Sequence, residues 1–100
     1  MHGEAVAWGL RFALALSADR LDQDSPEALW MLSVAEGFKH QLSCPVTPPS
    51  ADVLWEWAVR DKKNHGREVL IVLLAGPGQP QFDQRVRFEE FKRAVAHASR

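Results

Sequence analysis

The sequence has few features of a disulfide-stabilised, strongly charged or membrane-embedded protein. It contains a single cysteine, Cys44, so no disulfide can form within the chain. Its 12 basic and 13 acidic side chains nearly cancel, which leaves a formal net charge of −1. Because nucleic acids and anionic membrane surfaces attract clustered positive charge, this balance excludes them as expected partners.

Long hydrophobic runs are missing as well. The longest apolar stretch, from Ala5 to Ala18, is interrupted by Arg11 and is too short to cross a bilayer. No basic segment precedes this stretch and no clear small-residue cleavage site follows it, so it does not resemble a signal peptide. We therefore expect a protein without a membrane partner, located in the cytoplasm.

The apolar content is high enough for one folded domain. Apolar residues make up 46% of the 100 residues, which suits a single modest core. Apolar side chains recur at helical spacing in four segments, and Ser25 and Ser50 are predicted to cap the second and third of them. The four predicted helices are residues 3–20, Pro26 to about Gln41, Ser50 to near Asp61, and Phe88 to the region of Ala98.

One apolar run predicts a strand instead of a helix. From Arg67 to Ala75 the run shows no alternation, which predicts a strand buried on both faces. Gly76-Pro77-Gly78 should end it, and a weaker alternation from Phe82 to Arg87 predicts a second short strand. The expected fold class is therefore mainly α: a multi-helical domain with a minor one- or two-strand element near residues 67–87.

The same periodicity predicts which side chains form the core. The first and the third helix should each bury one stripe of apolar side chains at helical spacing. The four tryptophans are also expected to pack in the core and not to stack on a ligand. In the last helix, Glu89, Glu90, Lys92 and Arg93 are predicted on the outer face. The two stripes are Val6, Leu10, Ala13, Leu14 and Ala18, and Val53, Leu54, Trp57 and Ala58.

Two short motifs could carry chemistry. His2 precedes an apolar helix, where an imidazole can ligate zinc, although a histidine near a chain terminus is also an ordinary surface residue. Lys62 and Lys63 follow a helix end and precede a glycine, where lysines can hold a phosphate or a carboxylate. They could equally be solvated cations that complement the helix dipole. Taken alone, the residues leave these alternatives open.

Together the two motifs resemble the C-terminal domain of the 3-dehydroquinate synthase family. The first is His-Gly-Glu-Ala-Val-Ala (His2–Ala7) with Gly9 and a long apolar helix behind it. About sixty residues later come Asp61–Lys63, then Gly66 and a strand-like run, Val69–Leu74. The order and spacing of both motifs match the family over essentially the whole chain.

The resemblance implies a reaction and a set of roles. Family members cyclise 3-deoxy-D-arabino-heptulosonate 7-phosphate to 3-dehydroquinate with loss of phosphate, using NAD and a divalent metal, zinc or cobalt. His2 is thereby implied as a metal ligand. Lys63, with Lys62 as second choice, is implied as the catalytic residue that contacts the phosphorylated substrate. The sequence offers no NAD-binding residue of its own.

The chain also departs from the family pattern. The preceding NAD-binding domain, the other two metal ligands and most substrate-binding residues lie before the matching region and are absent. Trp8 and Leu10 replace residues that are usually Ile or Leu and Met, and residues 42–47 replace a Gly-Leu-Pro-like turn. Glu4 and Gly9 look more like the dehydroquinate branch than the valiolone branch of the superfamily.

These departures define the expectation for function. We expect a C-terminal fragment of a 3-dehydroquinate synthase that is inactive alone and binds neither NAD nor metal tightly. The chain is then expected to self-associate or to pair with a missing N-terminal half, because a cut between domains exposes an apolar face. The alternative is a non-catalytic binding or scaffolding module derived from that domain.

Overall fold

The computed structural model describes residues 2–39, 48–60 and 69–99, with side chains from Ala5 onward. In these ranges the chain forms helices and a single two-stranded antiparallel sheet, which confirms the mainly α fold class. None of the described helices is both long and apolar enough to span a membrane. The elements in chain order are α1 (His2–Asp19), α2 (Pro26–Lys39), α3 (Ala51–Arg60), β1 (Val69–Leu74), β2 (Pro80–Val86) and α4 (Phe88–Ala98).

Serine side chains begin two of the helices, as the sequence predicts. The Ala28 backbone N–H donates to Ser25 Oγ at 3.2 Å at the start of α2. The Val53 N–H donates to Ser50 Oγ at 3.4 Å at the start of α3. Each serine therefore satisfies one of the amide groups that the first helical turn leaves without an intrahelical acceptor.

The core is built around α1, which packs against α2 on one side and against α4 and the sheet on the other. Between α1 and α2 the buried residues are mostly alanine, with Ala28, Met31 and Ala35 packed in one cluster with Leu14 and Ala18. On the other side aromatic rings dominate. Phe91 of α4 makes edge contacts with Phe12 of α1 and Trp55 of α3, at centroid distances of 5.1 Å and 5.2 Å. α4 is therefore covered by both α1 and α3.

The two strands form a hairpin that packs onto α1. Val69 pairs with Val86 at one end and Leu74 with Pro80 at the other, and a bulge interrupts the register between Ile71 and Leu73. The turn contains Gly78 at φ +70°, a backbone conformation that favours glycine. The predicted end of the first strand at Gly76-Pro77-Gly78 is thus confirmed, while the second strand begins two residues earlier than predicted.

Several predictions of burial are wrong. β1 is not buried on both faces: in the described ranges its partner layer is a single second strand, and Val72 is 48% exposed. α3 turns Trp55 inward instead of Trp57, which is 57% exposed. The other side chains expected in the core but exposed are Val6, Leu10, Trp30 and Val53.

In α1 the error has a clear cause. Arg11 is turned into the protein, where its side chain is 2% exposed, and the helix face opposite to it must then point outward. Val6 and Leu10 lie on that outer face, although Leu14 and Ala18 of the predicted stripe are buried as expected. Arg11 therefore shares the inner face of α1 with the buried apolar residues Leu14, Ala15 and Ala18.

Candidate functional site

The predicted site residues lie at two element ends. α1 begins at His2, but the side chain of His2 lies outside the described part of the structure. Lys62 and Lys63 follow the end of α3 at Arg60 and belong to residues 61–68, which also lie outside it. The metal role of His2 and the substrate role of the lysines therefore stay predictions. The described residues do show how the two helices that lead to these positions are held.

Polar side chains fix the first half of α1 to the end of α4. Arg11 Nη1 donates to the carbonyl of Ala98 at 2.6 Å, and Nη2 donates to the carbonyl of His97 at 3.4 Å. Trp8 Nε1 donates to Ser99 Oγ at 3.3 Å, which gives a second contact between the first half of α1 and the end of α4. Carbonyls in the last turn of a helix have no intrahelical donor, and a cation there is favourable against the helix dipole. The half of α1 that begins at His2 is thereby anchored to α4.

An aromatic contact fixes α3 to the opposite half of α4. The Trp55 ring lies edge-on to Phe88 and Phe91, at centroid distances of 5.5 Å and 5.2 Å. Such edge-to-face pairs stabilise packing by about 0.5–1.5 kcal/mol beyond their buried area. α4 is therefore the common support of α1, which begins at His2, and of α3, which leads to Lys62.

A buried carboxylate joins the end of α1 to the start of α4. Glu90 accepts hydrogen bonds from Arg20 Nε at 2.9 Å, from Arg20 Nη2 at 3.2 Å and from the Arg87 backbone N–H at 3.0 Å. Arg20 Nη2 also donates to the carbonyl of Arg85. These hydrogen bonds, with that of Arg20 the strongest, lower the pKa of Glu90 although burial opposes them. A carboxylate held ionised in this way is a structural anchor and a poor candidate for a general base at neutral pH.

Arg11 and Glu90 are two structurally important residues that the sequence patterns above do not single out. Glu90 was predicted on the outer face of α4, and this prediction is wrong because Arg20, 70 residues earlier in the chain, binds its side chain. For Arg11 one signal existed: it is the only charged residue between Glu4 and Asp19. A lone charge in a helix that is apolar nearly all round indicates a buried, paired side chain.

A cleft of about 310 Å³ lies between α1, α2 and α4. Alanines and Leu32 form most of its described lining. The charged groups at the cleft, Asp19 and Arg93, bind each other with Arg93 Nη2 at 2.8 Å from Asp19 Oδ2. Their opposite charges offset each other, and Gln23 and His97 are the other polar residues of the lining.

The described residues do not fit a zinc or NAD site on their own. Among residues 5–39, 48–60 and 69–99, no group of three His, Cys, Asp or Glu side chains could hold a metal ion, whereas a catalytic zinc needs three protein ligands. Doubly wound NAD-binding domains use a parallel sheet, and in the described ranges the sheet is a single antiparallel hairpin. Any metal or dinucleotide chemistry would require groups outside this part of the chain.

The outer face of α1 is apolar and exposed. Val6 is 46% exposed and Leu10 is 41% exposed. They lie on the same face as Ala5 and Gly9, and apart from its own helix no described residue lies within 4 Å of the position that a Cβ of Gly9 would occupy. No charged residue occurs between Ala5 and Leu10, and Arg11, the next residue, is buried on the opposite side of the helix. We call these four residues the outer α1 face.

Comparison with known proteins gives two curated relatives, both from Leptospira interrogans serogroup Icterohaemorrhagiae, serovars copenhageni and Lai. Both are 3-dehydroquinate synthases. Each is 34% identical to this chain over 94 residues, which is 94% of the chain and 25% of the relative. The chain thus spans about a quarter of the length of these enzymes. No family model matches the chain, and no solved structure matches it.

The relatives agree with the family that the two sequence motifs indicate. The similarity extends over 94 residues of the chain, so it includes most of the helices and the hairpin. It supports a chain similar to part of a 3-dehydroquinate synthase. The individual roles of His2, Lys62 and Lys63 are separate proposals.

Proposed function

We propose that the chain acts as the C-terminal helical part of an enzyme of the 3-dehydroquinate synthase kind. The reaction is closure of 3-deoxy-D-arabino-heptulosonate 7-phosphate to 3-dehydroquinate with loss of phosphate, in the shikimate pathway of the cytoplasm. The observation that carries the proposal is the 34% identity to two such enzymes over 94% of the chain. The mainly α architecture agrees with the fold expected of this part.

The proposed roles belong to the two sequence motifs. His2 contributes one ligand to a divalent metal, zinc or cobalt, and Lys63 binds the phosphorylated substrate, with Lys62 as the second candidate. This assignment is supported by the match of both motifs to the family pattern in order and spacing. The helices that lead to His2 and Lys62, α1 and α3, attach to opposite halves of α4. Two further metal ligands and the NAD site must come from another polypeptide segment.

A second function is favoured by one specific observation. The outer α1 face is exposed and uncharged, which suits a surface that binds another protein segment. A non-catalytic binding or scaffolding module would use this surface without any contribution from His2 or Lys63. Both proposals therefore require another polypeptide segment, and they differ in whether the motif residues are needed.

Reconstitution in two pieces tests the first proposal. The purified chain is mixed with a 3-dehydroquinate synthase from which the matching C-terminal quarter has been deleted, in the presence of NAD, zinc and the phosphorylated substrate. We expect 3-dehydroquinate to form only when both pieces are present. Neither piece alone should give product, since each lacks part of the site.

Substitutions then separate the two functions. His2→Ala should lower turnover by at least roughly 10–100-fold, the effect of losing a residue that merely supports a metal ligand. Lys63→Ala should also lower turnover, because it removes the proposed contact with the phosphorylated substrate. His40→Ala and Lys92→Ala are the matched controls, because neither residue has a proposed role. Association of the two pieces without product would favour the binding module. Turnover by the chain alone, or turnover unaffected by His2→Ala and Lys63→Ala, would refute the catalytic assignment.

Zinc binding by the isolated chain is a direct check on the metal assignment. One imidazole lacks the three protein ligands of a catalytic site, so titration calorimetry should show only weak binding by the chain alone. In the two-piece complex, binding should become stoichiometric and should be lost with His2→Ala. Tight zinc binding by the chain alone would mean that the chain holds a complete ligand set.

A further inference from the structure

We draw no further inference here: the strongest candidate, the cleft of about 310 Å³ between α1, α2 and α4, carries nothing because its two charged groups, Asp19 and Arg93, bind each other and its remaining described lining, mostly alanine, indicates no class of ligand.

Discussion

The buried guanidinium of Arg11 joins the first half of α1 to the end of α4. Replacing Arg11 with Met keeps most of the side-chain volume but removes the donors to the Ala98 and His97 carbonyls. Hydrogen bonds to charged groups contribute roughly 1.5–3 kcal/mol. We expect Arg11→Met to lower the free energy of unfolding by about 2–3 kcal/mol, measured by urea denaturation followed through tryptophan fluorescence.

The control for Arg11 is an exposed cation on α4. Lys92→Met introduces the same side chain at a surface position and should change stability by no more than about 0.5 kcal/mol. If Arg11→Met were as stable as the wild type, the contacts of Arg11 with the end of α4 would contribute nothing to the fold. The proposed anchoring of the first half of α1 would then fail.

The lowered pKa of Glu90 leads us to expect that the free energy of unfolding depends on pH in a specific way. Its pKa lies below the ordinary value of 4.5 in the folded protein, chiefly because Arg20 donates to the carboxylate. A carboxyl group with a lowered folded pKa stabilises the protein above its unfolded pKa, and this contribution disappears as the pH falls through the folded pKa. Glu90→Gln should therefore be less stable than the wild type at pH 7, and the difference should shrink on acidification below about pH 4.5.

A pH series of urea unfolding curves measures this effect, with Asp19→Asn as the matched control. Asp19 binds Arg93 in an exposed ion pair, and such pairs contribute only about 0–1 kcal/mol. A difference between wild type and Glu90→Gln that persists unchanged at the acid end of the series would show that packing, and not the charge, makes Glu90 important.

These two residues also show where sequence reasoning stops at the residue scale. Arg11 finds its acceptor 87 residues later, and Glu90 finds its main donor 70 residues earlier. Helical periodicity contains only local information, so a charged residue such as Glu90 is assigned to the solvent-facing side of its helix. It cannot identify a carboxylate that is buried because a distant arginine neutralises it.

At the scale of single elements, prediction worked where the signal is local. The serine caps, the helical spacing and the Gly-Pro-Gly turn correctly indicated the start of α2 and α3 and the end of β1. The inward faces of α1 and α3 were harder, because each helix is apolar on more than one side. There the neighbours decide: Phe88 and Phe91 select Trp55 over Trp57.

The attachment of the hairpin to α1 gives a prediction at this scale. Ser17 is 2% exposed, and its hydroxyl accepts a hydrogen bond from the Leu74 N–H at 3.0 Å while it donates to the Ala13 carbonyl at 2.8 Å. Ser17→Ala removes the acceptor of the Leu74 N–H. An amide that loses its partner costs about 1–3 kcal/mol when buried, so the edge of β1 should open more often.

Amide hydrogen exchange measured by NMR follows this change directly. The protection of the Leu74 amide should fall by at least about tenfold, which corresponds to about 1.4 kcal/mol. Ser33→Ala, at an exposed position of α2, should leave the protection of Leu74 unchanged. Equal protection in Ser17→Ala and the wild type would show that the hairpin is held to α1 by apolar packing alone.

At the scale of the whole molecule, the exposed apolar side chains are spread over several elements. Leu29 and Trp30 lie on α2, Val53 and Trp57 on α3, and Phe82 on the hairpin, in addition to the outer α1 face. Scattered apolar residues are normal on a protein surface, but an uncharged helix face is a different feature. The two sequence motifs indicated a family and, through it, candidate site residues. They could not indicate which of these surfaces binds a partner, because binding depends on residues of another polypeptide segment.

We expect the outer α1 face to take part in the association that both proposed functions require. A charge placed in a buried interface without a partner costs about 3–5 kcal/mol, so Leu10→Glu should weaken association by at least about 100-fold. Leu29→Glu, which puts the same charge on an exposed leucine of α2, should have little effect. Size-exclusion chromatography with light scattering, on the chain alone and mixed with the truncated synthase, measures both self-association and pairing.

The two arms of this experiment distinguish the possible partners. A dimer of the isolated chain that Leu10→Glu dissociates would identify a second copy on the outer α1 face. Pairing only with the truncated synthase, lost in Leu10→Glu and retained in Leu29→Glu, would identify the remainder of the enzyme. If the chain stays a monomer at high concentration and does not pair, the exposure of Val6 and Leu10 has no interface to explain it, and both proposed functions lose their common requirement.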